Sequence, residues 1–299
     1  MIEDIQKTIF LTYLTNYNIK EIFRGLAYPD LDTYIEDFLK EKFDKKEVIN
    51  DNFVDDISRL YLERYEEMRY AGITFIPFKD RLYPENLRKI NQPPPMLYIK
   101  GKFLKKINIA IVGTRNASEY AQATVDEITK GLSNGHGVVS GLAVGIDTIA
   151  HLSAIRKSLY TIAVMPVSLD HVYPRTNYKL ANDIIEYGGC LLSELAIGIN
   201  RGRKSFVERN RLQTGLSDFV APIEMGVNSG TMHTVDFCIK QGKHLLMFEP
   251  SEKQILLSQY DGIIYLKQKK GLKKIIIKDG FCLETLINEM KRILNPTLF

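Results

Sequence analysis

Cysteine is scarce in this chain of 299 residues. Cys190, Cys238 and Cys282 are odd in number, widely spaced and form no Cys-x-x-Cys pair. That usage argues against a disulfide framework or a cysteine metal cluster and fits a reducing cytoplasm. His136, His171, His233 and His244 show no metal-ligand spacing, so no metal is expected. No apolar run approaches the roughly 18 residues of a membrane span. The start, Met1-Ile2-Glu3-Asp4, has no charged-then-apolar signal pattern. The expectation is a soluble cytoplasmic protein with no membrane contact. Gly-x-Gly-x-x-Gly and Gly-x4-Gly-Lys-Ser/Thr are both missing, which argues against ordinary dinucleotide or ATP use. Gly-x-Ser-x-Gly is missing too, so no reactive serine is indicated. A formal charge of +4 is too mild to demand nucleic acid, and a basic patch must be argued locally.

What is present is an ordinary globular composition, 45% hydrophobic and 25% charged, with two textures. Residues 1–72 have helical spacing, as in Tyr34, Ile35, Phe38 and Leu39, and Ala71-Gly72 is a natural stop. This predicts a small all-helical domain. Residues 73–299 read as a second domain. Short strands at Ile73–Ile76 and Met96–Ile99 precede a strand–helix alternation through Ile109–Val112, Val138-Val139, Thr161–Met165, Cys190–Ser193, Phe219–Ala221 and Leu245–Phe248. Ile263-Ile264-Tyr265 and Ile275–Ile277 read as further short strands, and Leu283–Leu294 as a closing helix. Strands that are apolar without alternation are buried on both faces. The fold class is therefore α/β: a Rossmann-like, doubly wound, mainly parallel sheet whose ligands sit beyond the carboxyl ends of its strands.

The candidate site residues fall in those strand-to-helix turns. Ser140, Gly141, Leu142 and Gly145 lead into a helix opening with Asp147 and Thr148, where free amides and the helix dipole suit phosphate. Gly113, Thr114 and Arg115 follow the first core strand, with Ser118 shortly after, and Arg115 has the planar fork suited to phosphate. Ser229, Gly230 and Thr231 precede a helix, as a phosphate contact or as an N-cap. Arg203, Lys204, Phe206, Arg209, Asn210 and Arg211 form the most cationic stretch. It has the composition of a strand-tracking surface on which Phe206 stacks a base, or else is a solvated loop with Phe206 in the core. Asp147 and His151 are four apart on one helix and spaced to pair, in a structural or a catalytic role. No catalytic constellation is expected, and no cofactor.

Taken in order, these motifs resemble the DprA/Smf family of DNA-processing proteins. The match runs from about Tyr83 to Phe248. It is carried by Tyr83-Pro84-Glu85-Asn86-Leu87, Pro95–Gly101, Ile109–Arg115, Ser140–His151, Leu169–Pro174 with Asn177, Leu192-Ser193-Glu194, Phe206–Ser217 and Ser229-Gly230-Thr231. The resemblance implies an extended Rossmann domain that binds single-stranded DNA and loads a RecA-type recombinase during natural transformation. It also implies a homodimer, no catalytic turnover, and the 1–72 helices in the position of a SAM-like domain. It further implies a positive pocket made of Arg115, the Ser140-Gly141 backbone, Arg203 or Lys204, and Phe206. The sequence departs from the family at Pro166–Asp170, where a Gly-x-Gly-Leu-Asp stretch is usual, and at Ile223-Glu224, where an acidic residue usually comes directly after the strand. No complete winged-helix domain is expected past Phe248. Two rival readings stay open. One is a nucleotide-binding or nucleotide-processing Rossmann protein akin to phosphoribohydrolases, with Glu194 or Glu224 as acid or base. The other is a diverged DprA-like component of a defence or mobile-element system.

Overall fold

A computed structural model describes residues 2–42, 52–277 and 292–293. The chain divides into two compact units. The first comprises Met1–Lys100 with Val167–His171 and Leu192–Arg201; the second comprises the rest.

The first unit begins with helices α1 (Ile2–Leu14), α2 (Ile19–Ala27), α3 (Leu31–Lys42) and α4 (Phe53–Tyr70). Asn18 starts α2 by accepting the Glu21 N–H, as an N-cap does. Buried Ile9, Leu11, Ile22, Tyr34 and Met68 hold the helices together. β1 (Ile73–Pro77), the short α5 (Glu85–Arg88) and β2 (Met96–Gly101) follow, and β1 pairs antiparallel with β2. Tyr13 donates to the Ile197 carbonyl at 2.8 Å and Tyr17 to the Glu194 carboxylate at 2.5 Å. These bonds tie the 192–201 segment to α1 and to the turn that follows it.

The second unit is the strand–helix alternation. Its elements in order are β3 (Ile107–Val112), α6 (Ala121–Lys130), β4 (His136–Ser140), α7 (Ile146–Arg156), β5 (Tyr160–Val164), α8 (Tyr178–Glu186) and β6 (Cys190–Ser193), of which Leu192 and Ser193 count with the first unit. There follow α9 (Lys204–Glu208), α10 (Asn210–Gly215), β7 (Phe219–Pro222), α11 (Gly230–Lys240), β8 (His244–Phe248), α12 (Asp261–Gln268) and β9 (Lys274–Ile277). The strands lie in the order β6-β5-β4-β3-β7-β8-β9. The pairs β3–β4, β3–β7, β4–β5, β7–β8 and β8–β9 are all parallel. Successive side chains on a strand point to opposite faces. Ile109 and Ile111 accordingly pack with Val125, Ile128 and Ala150 on one face, and Ala110 and Val112 with Val235, Cys238 and Ile263 on the other. Both faces are covered by helices, which is why the strands read as unbroken apolar runs.

Ile263-Ile264-Tyr265 is helical, in α12, rather than a strand. Ile263 and Leu266, three apart, share the buried face of that helix beside Tyr260. Burial there outweighs the β-propensity of consecutive isoleucines. The cationic stretch forms two short helices, α9 and α10, with Arg209 between them. The closing helix expected at 283–294 falls almost wholly outside the described residues.

Candidate nucleic-acid interface

The chain runs outward from β3 to β4, β5 and β6, then returns to β7 on the other side of β3. The crevice beyond β3 and β7 is thus a topological switch point, where open α/β sheets bind ligands. A cleft of about 470 Å³ lies there. Gly113, Thr114 and Arg115 line it from the end of β3, Phe206, Arg209, Asn210 and Gln213 from α9 and α10, and Ser229, Gly230, Thr231 and Thr234 from the start of α11. A smaller groove of about 150 Å³ adjoins it and shares Arg115, Ala143, Phe206 and Arg209.

The turn after β4 is rigid. Leu142 is a buried non-glycine at φ +61°, a strained conformation that needs support from its surroundings. That support comes from Asn177, whose amide donates to the Leu142 carbonyl and to the Thr148 hydroxyl at 2.8 Å each. Thr148 in turn donates to the Ala143 carbonyl. The Ser140 hydroxyl donates to the Ile111 carbonyl at 2.7 Å.

The anion held by this turn is part of the protein. The N–H groups of Gly141 and Ala143 donate to the Asp147 carboxylate, the latter at 3.3 Å. Burial raises the Asp147 pKa, opposed by nearby Arg209 and by these hydrogen bonds. Arg209 is only 7% exposed, donates to the Val164 carbonyl at 2.5 Å, and lies so close over Gly141 that a Cβ there would run into its guanidinium. Burial, offset by Asp147, lowers the Arg209 pKa to about 10. Arg209 therefore stays charged at neutral pH, and its Nε has no partner among the described residues.

His151 does not bond to Asp147. The Thr161 hydroxyl donates to the Val138 carbonyl, so its oxygen must accept from His151 Nδ1 at 2.8 Å. Burial pushes the imidazole pKa down to about 3, with Arg209 adding to the effect. His151 is a neutral core residue.

The open donors lie elsewhere. The Gly230 and Thr231 amides at the start of α11 have no intrahelical acceptor, whereas the Met232 N–H already donates to the Ser229 carbonyl at 3.0 Å. The Ser229 hydroxyl, at the N-cap, is buried with no partner among the described residues, and Gly230 faces open space. Arg115 is exposed at the opposite wall. Phe206 is half-buried at the cleft, its ring edge-to-face with Tyr173 at 5.0 Å and 77°.

Other predicted residues spend their donors inside the fold or lie outside the cleft. Thr114 lines the cleft, but its N–H donates to the Glu224 carbonyl. The Ser118 N–H and hydroxyl both donate to the Glu224 carboxylate, at 2.8 and 2.5 Å, and Tyr260 completes that site at 2.9 Å. Arg211 is buried and donates to the Glu208 carbonyl. Arg203 and Lys204 are exposed but line neither the cleft nor the groove. Gly145 serves by close packing: it is the N-cap residue of α7 and lies against the backbone of Thr114 and Arg115. Glu194 and Glu224 line neither cavity. Sequence reasoning passed over Gln213, Thr234 and Tyr173. Gln213 and Thr234 each lie three residues beyond a predicted site residue, Asn210 and Thr231, so helical spacing carried the signal. Among the described residues no cluster of His, Cys, Asp and Glu could hold a metal, and no helix is long and apolar enough to cross a membrane.

Over residues 74–291 the sequence matches the family described as DNA recombination-mediator protein A. The chain belongs to that family. It is 33% identical to the DNA processing protein DprA of Bacillus subtilis over 235 residues, 76% of this chain and 77% of that one. It is 32% identical to DprA of Streptococcus pneumoniae over 271 residues, 86% and 93% of the two chains. The X-ray structure of the S. pneumoniae protein superposes with a TM-score of 0.69 at 28% identity, covering 92% of this chain and 93% of the other. A Helicobacter pylori DprA structure, described for its unique single-stranded DNA binding mode, superposes with a TM-score of 0.62 at 29% identity, covering 74% and 96%.

Proposed function

We propose that the switch-point cleft binds single-stranded DNA. The observation that carries this is the convergence of Arg115, Arg209, Phe206 and the free start of α11 on one cavity. Phosphate is held between Arg115 and the α11 amides, and a base meets the Phe206 ring. The H. pylori relative, described by its mode of binding single strands, supports the same ligand here. In the cell the protein is a cytoplasmic recombination mediator, a homodimer that protects single strands and promotes loading of a RecA-type recombinase in natural transformation. The cleft binds and does not turn over its ligand. Its one carboxylate, Asp147, is engaged by turn amides, while Glu194 and Glu224, the acids a nucleotide-processing reading would need, lie elsewhere.

The test is a salt titration of binding by fluorescence anisotropy, comparing single-stranded and duplex oligonucleotides. Single strands bind more tightly, and log Kd changes linearly with log salt. Arg115→Ala lowers the slope by about 0.7, one phosphate on a single strand. Phe206→Ala weakens binding by about 1–3 kcal/mol with the fold intact. Equal affinity for both forms, or binding indifferent to both variants, refutes the reading. Recombinase loading is tested by strand exchange on DNA precoated with a single-strand-binding protein.

A further inference from the structure

Arg115 is exposed at the cleft, and its side chain forms no hydrogen bond or ion pair with any described residue. Its backbone alone therefore decides where the guanidinium can reach. That backbone belongs to the loop between β3 and α6, and one residue from beyond β7 holds the loop at two points. The Glu224 carbonyl accepts the Thr114 N–H at 2.8 Å. The Glu224 carboxylate accepts the Ser118 N–H at 2.8 Å and the Ser118 hydroxyl at 2.5 Å. Arg115 lies between the two points. The Ser118 hydroxyl in turn accepts the Tyr120 N–H at 3.2 Å, just ahead of α6. The far end of the loop and the start of the helix thus hang on one carboxylate.

The Ile223-Glu224 pair, where the sequence departs from its family, accounts for this placement. The Ile223 N–H donates to the Val112 carbonyl at 3.0 Å, and its side chain packs with Ile109 and Ile146 on one face of the sheet. Glu224 reaches instead to Tyr260, a core residue of the opposite face. It is fully buried and lines neither cavity, so its charge is kept only by hydrogen bonds. The Tyr260 hydroxyl supplies one at 2.9 Å and accepts from the Gln254 amide at 2.9 Å. Burial, with the Glu224 charge adding to it, raises the Tyr260 pKa, which keeps the hydroxyl protonated and donating.

We propose that Glu224 and Tyr260 are positioning residues for single-strand binding, fixing the 114–118 loop so that Arg115 stands opposite the start of α11. Neither touches the strand. The inference rests on the single-strand reading above and adds the groups that make its exposed arginine effective. A loop released at Ser118 has to be ordered again on binding, and that ordering is paid out of affinity.

Two variants test this. Tyr260→Phe removes one donor and keeps the ring in the core; Ser118→Ala removes another and keeps the N–H bond, so the question stays open to measurement if either variant folds poorly. Each is made alone and in the Arg115→Ala background, and binding of a thymidine run of about 12 nucleotides is followed by anisotropy over a range of salt, well below Tm. Each variant alone weakens binding about three- to tenfold, a part of what a hydrogen bond to a charged group contributes. It also lowers the slope of log Kd against log salt by part of the roughly 0.7 carried by one phosphate contact. In the Arg115→Ala background either change moves affinity by no more than about twofold, because the group it positions is already gone. A loss of equal size with and without Arg115, or a lower Tm with affinity and slope unchanged, assigns Glu224 and Tyr260 to the fold alone; the inference is then overturned and the single-strand reading stands. No binding of the thymidine run by the parent overturns both.

Discussion

Gly145 joins two of the turns at the cleft, and replacing it by alanine tests whether their contact positions Arg115. The residue has φ +81° and ψ −130°, a quadrant side chains avoid, and its N-terminal neighbours form the turn after β4. A methyl there would meet the Thr114 carbonyl oxygen and, at 2.7 Å, the carbonyl carbon and oxygen of Arg115. All of these are backbone atoms that no rotamer change can move aside. The backbone conformation costs about 1–3 kcal/mol and the overpacking another 1–3 kcal/mol or so. A total of about 2–6 kcal/mol lowers Tm by roughly 4–24 °C. Gly188→Ala is the matched control: its φ is +84° with nothing within 4 Å of the added methyl, so it costs only about 1–2 kcal/mol. The chain relieves the Gly145→Ala clash most easily by moving the 114–115 segment outward, which breaks the Ile146 N–H bond to the Thr114 carbonyl and displaces Arg115. Single-strand affinity, measured by anisotropy well below Tm, then falls about tenfold, a change of roughly 1.4 kcal/mol. Circular dichroism melts of the two variants supply the stability arm. If Gly145→Ala melts no lower than Gly188→Ala and binds like the parent, the packing argument is wrong.

Glu224→Gln leaves two Ser118 donors and the Tyr260 hydroxyl facing an amide that can accept on one atom only. The expected loss is about 1.5–3 kcal/mol, read as a lower urea midpoint, and an unchanged midpoint removes Glu224 from the framework of the cleft. His151 is held neutral by burial, with a folded pKa of about 3 against 6.5. The unfolded chain takes up the proton first, so this contribution is complete above pH 6.5 and is lost as pH falls toward 3, at up to about 1.4 kcal/mol per pH unit. Urea unfolding at pH 7.5 and 5.5 should show a smaller fall for His151→Gln than for the parent. Asp147 is common to both proteins and drops out of that difference, and equal falls would assign the acid sensitivity elsewhere. Asp147→Asn keeps one acceptor for the turn amides and removes a negative charge from the cleft wall. It should destabilise by about 1–3 kcal/mol and yet bind single strands at least as tightly at low salt; a loss of affinity with the fold intact would mean the carboxylate positions the ligand.

The sheet was readable because its signal is dense. Ile109–Val112 and Leu245–Phe248 are apolar at every position, the pattern of a strand covered on both faces. The turns were readable as places, since glycine and hydroxyl residues cluster after each strand. What each turn does was less so, because sequence does not say which acceptor takes a given amide. Ser118 and Arg211 have the right chemistry for phosphate, but one is bound to Glu224 and the other is turned inward. Those partners lie on other elements of the fold. Ile263-Ile264-Tyr265 shows the reverse case, in which local propensity is plain and the three-residue spacing of Ile263 and Leu266 in the core overrides it.

The turn after β4 has the features of an anion site, two glycines and a helix start, and it does hold an anion: Asp147, four residues along the chain from Ala143. A phosphate approaching Gly141 would have to displace a buried carboxylate or accept its repulsion. The same carboxylate offsets the burial cost of Arg209, which packs over Gly141 and forms the back wall of the cleft. Together the two contribute little net charge, so attraction for an incoming anion falls to Arg115 and to the α11 amides beside the Ser229 hydroxyl, which has no partner among the described residues. The proposed phosphate position is therefore between β3 and α11, with the turn after β4 as the floor that holds Arg209 and, through Gly145, packs against the Arg115 backbone.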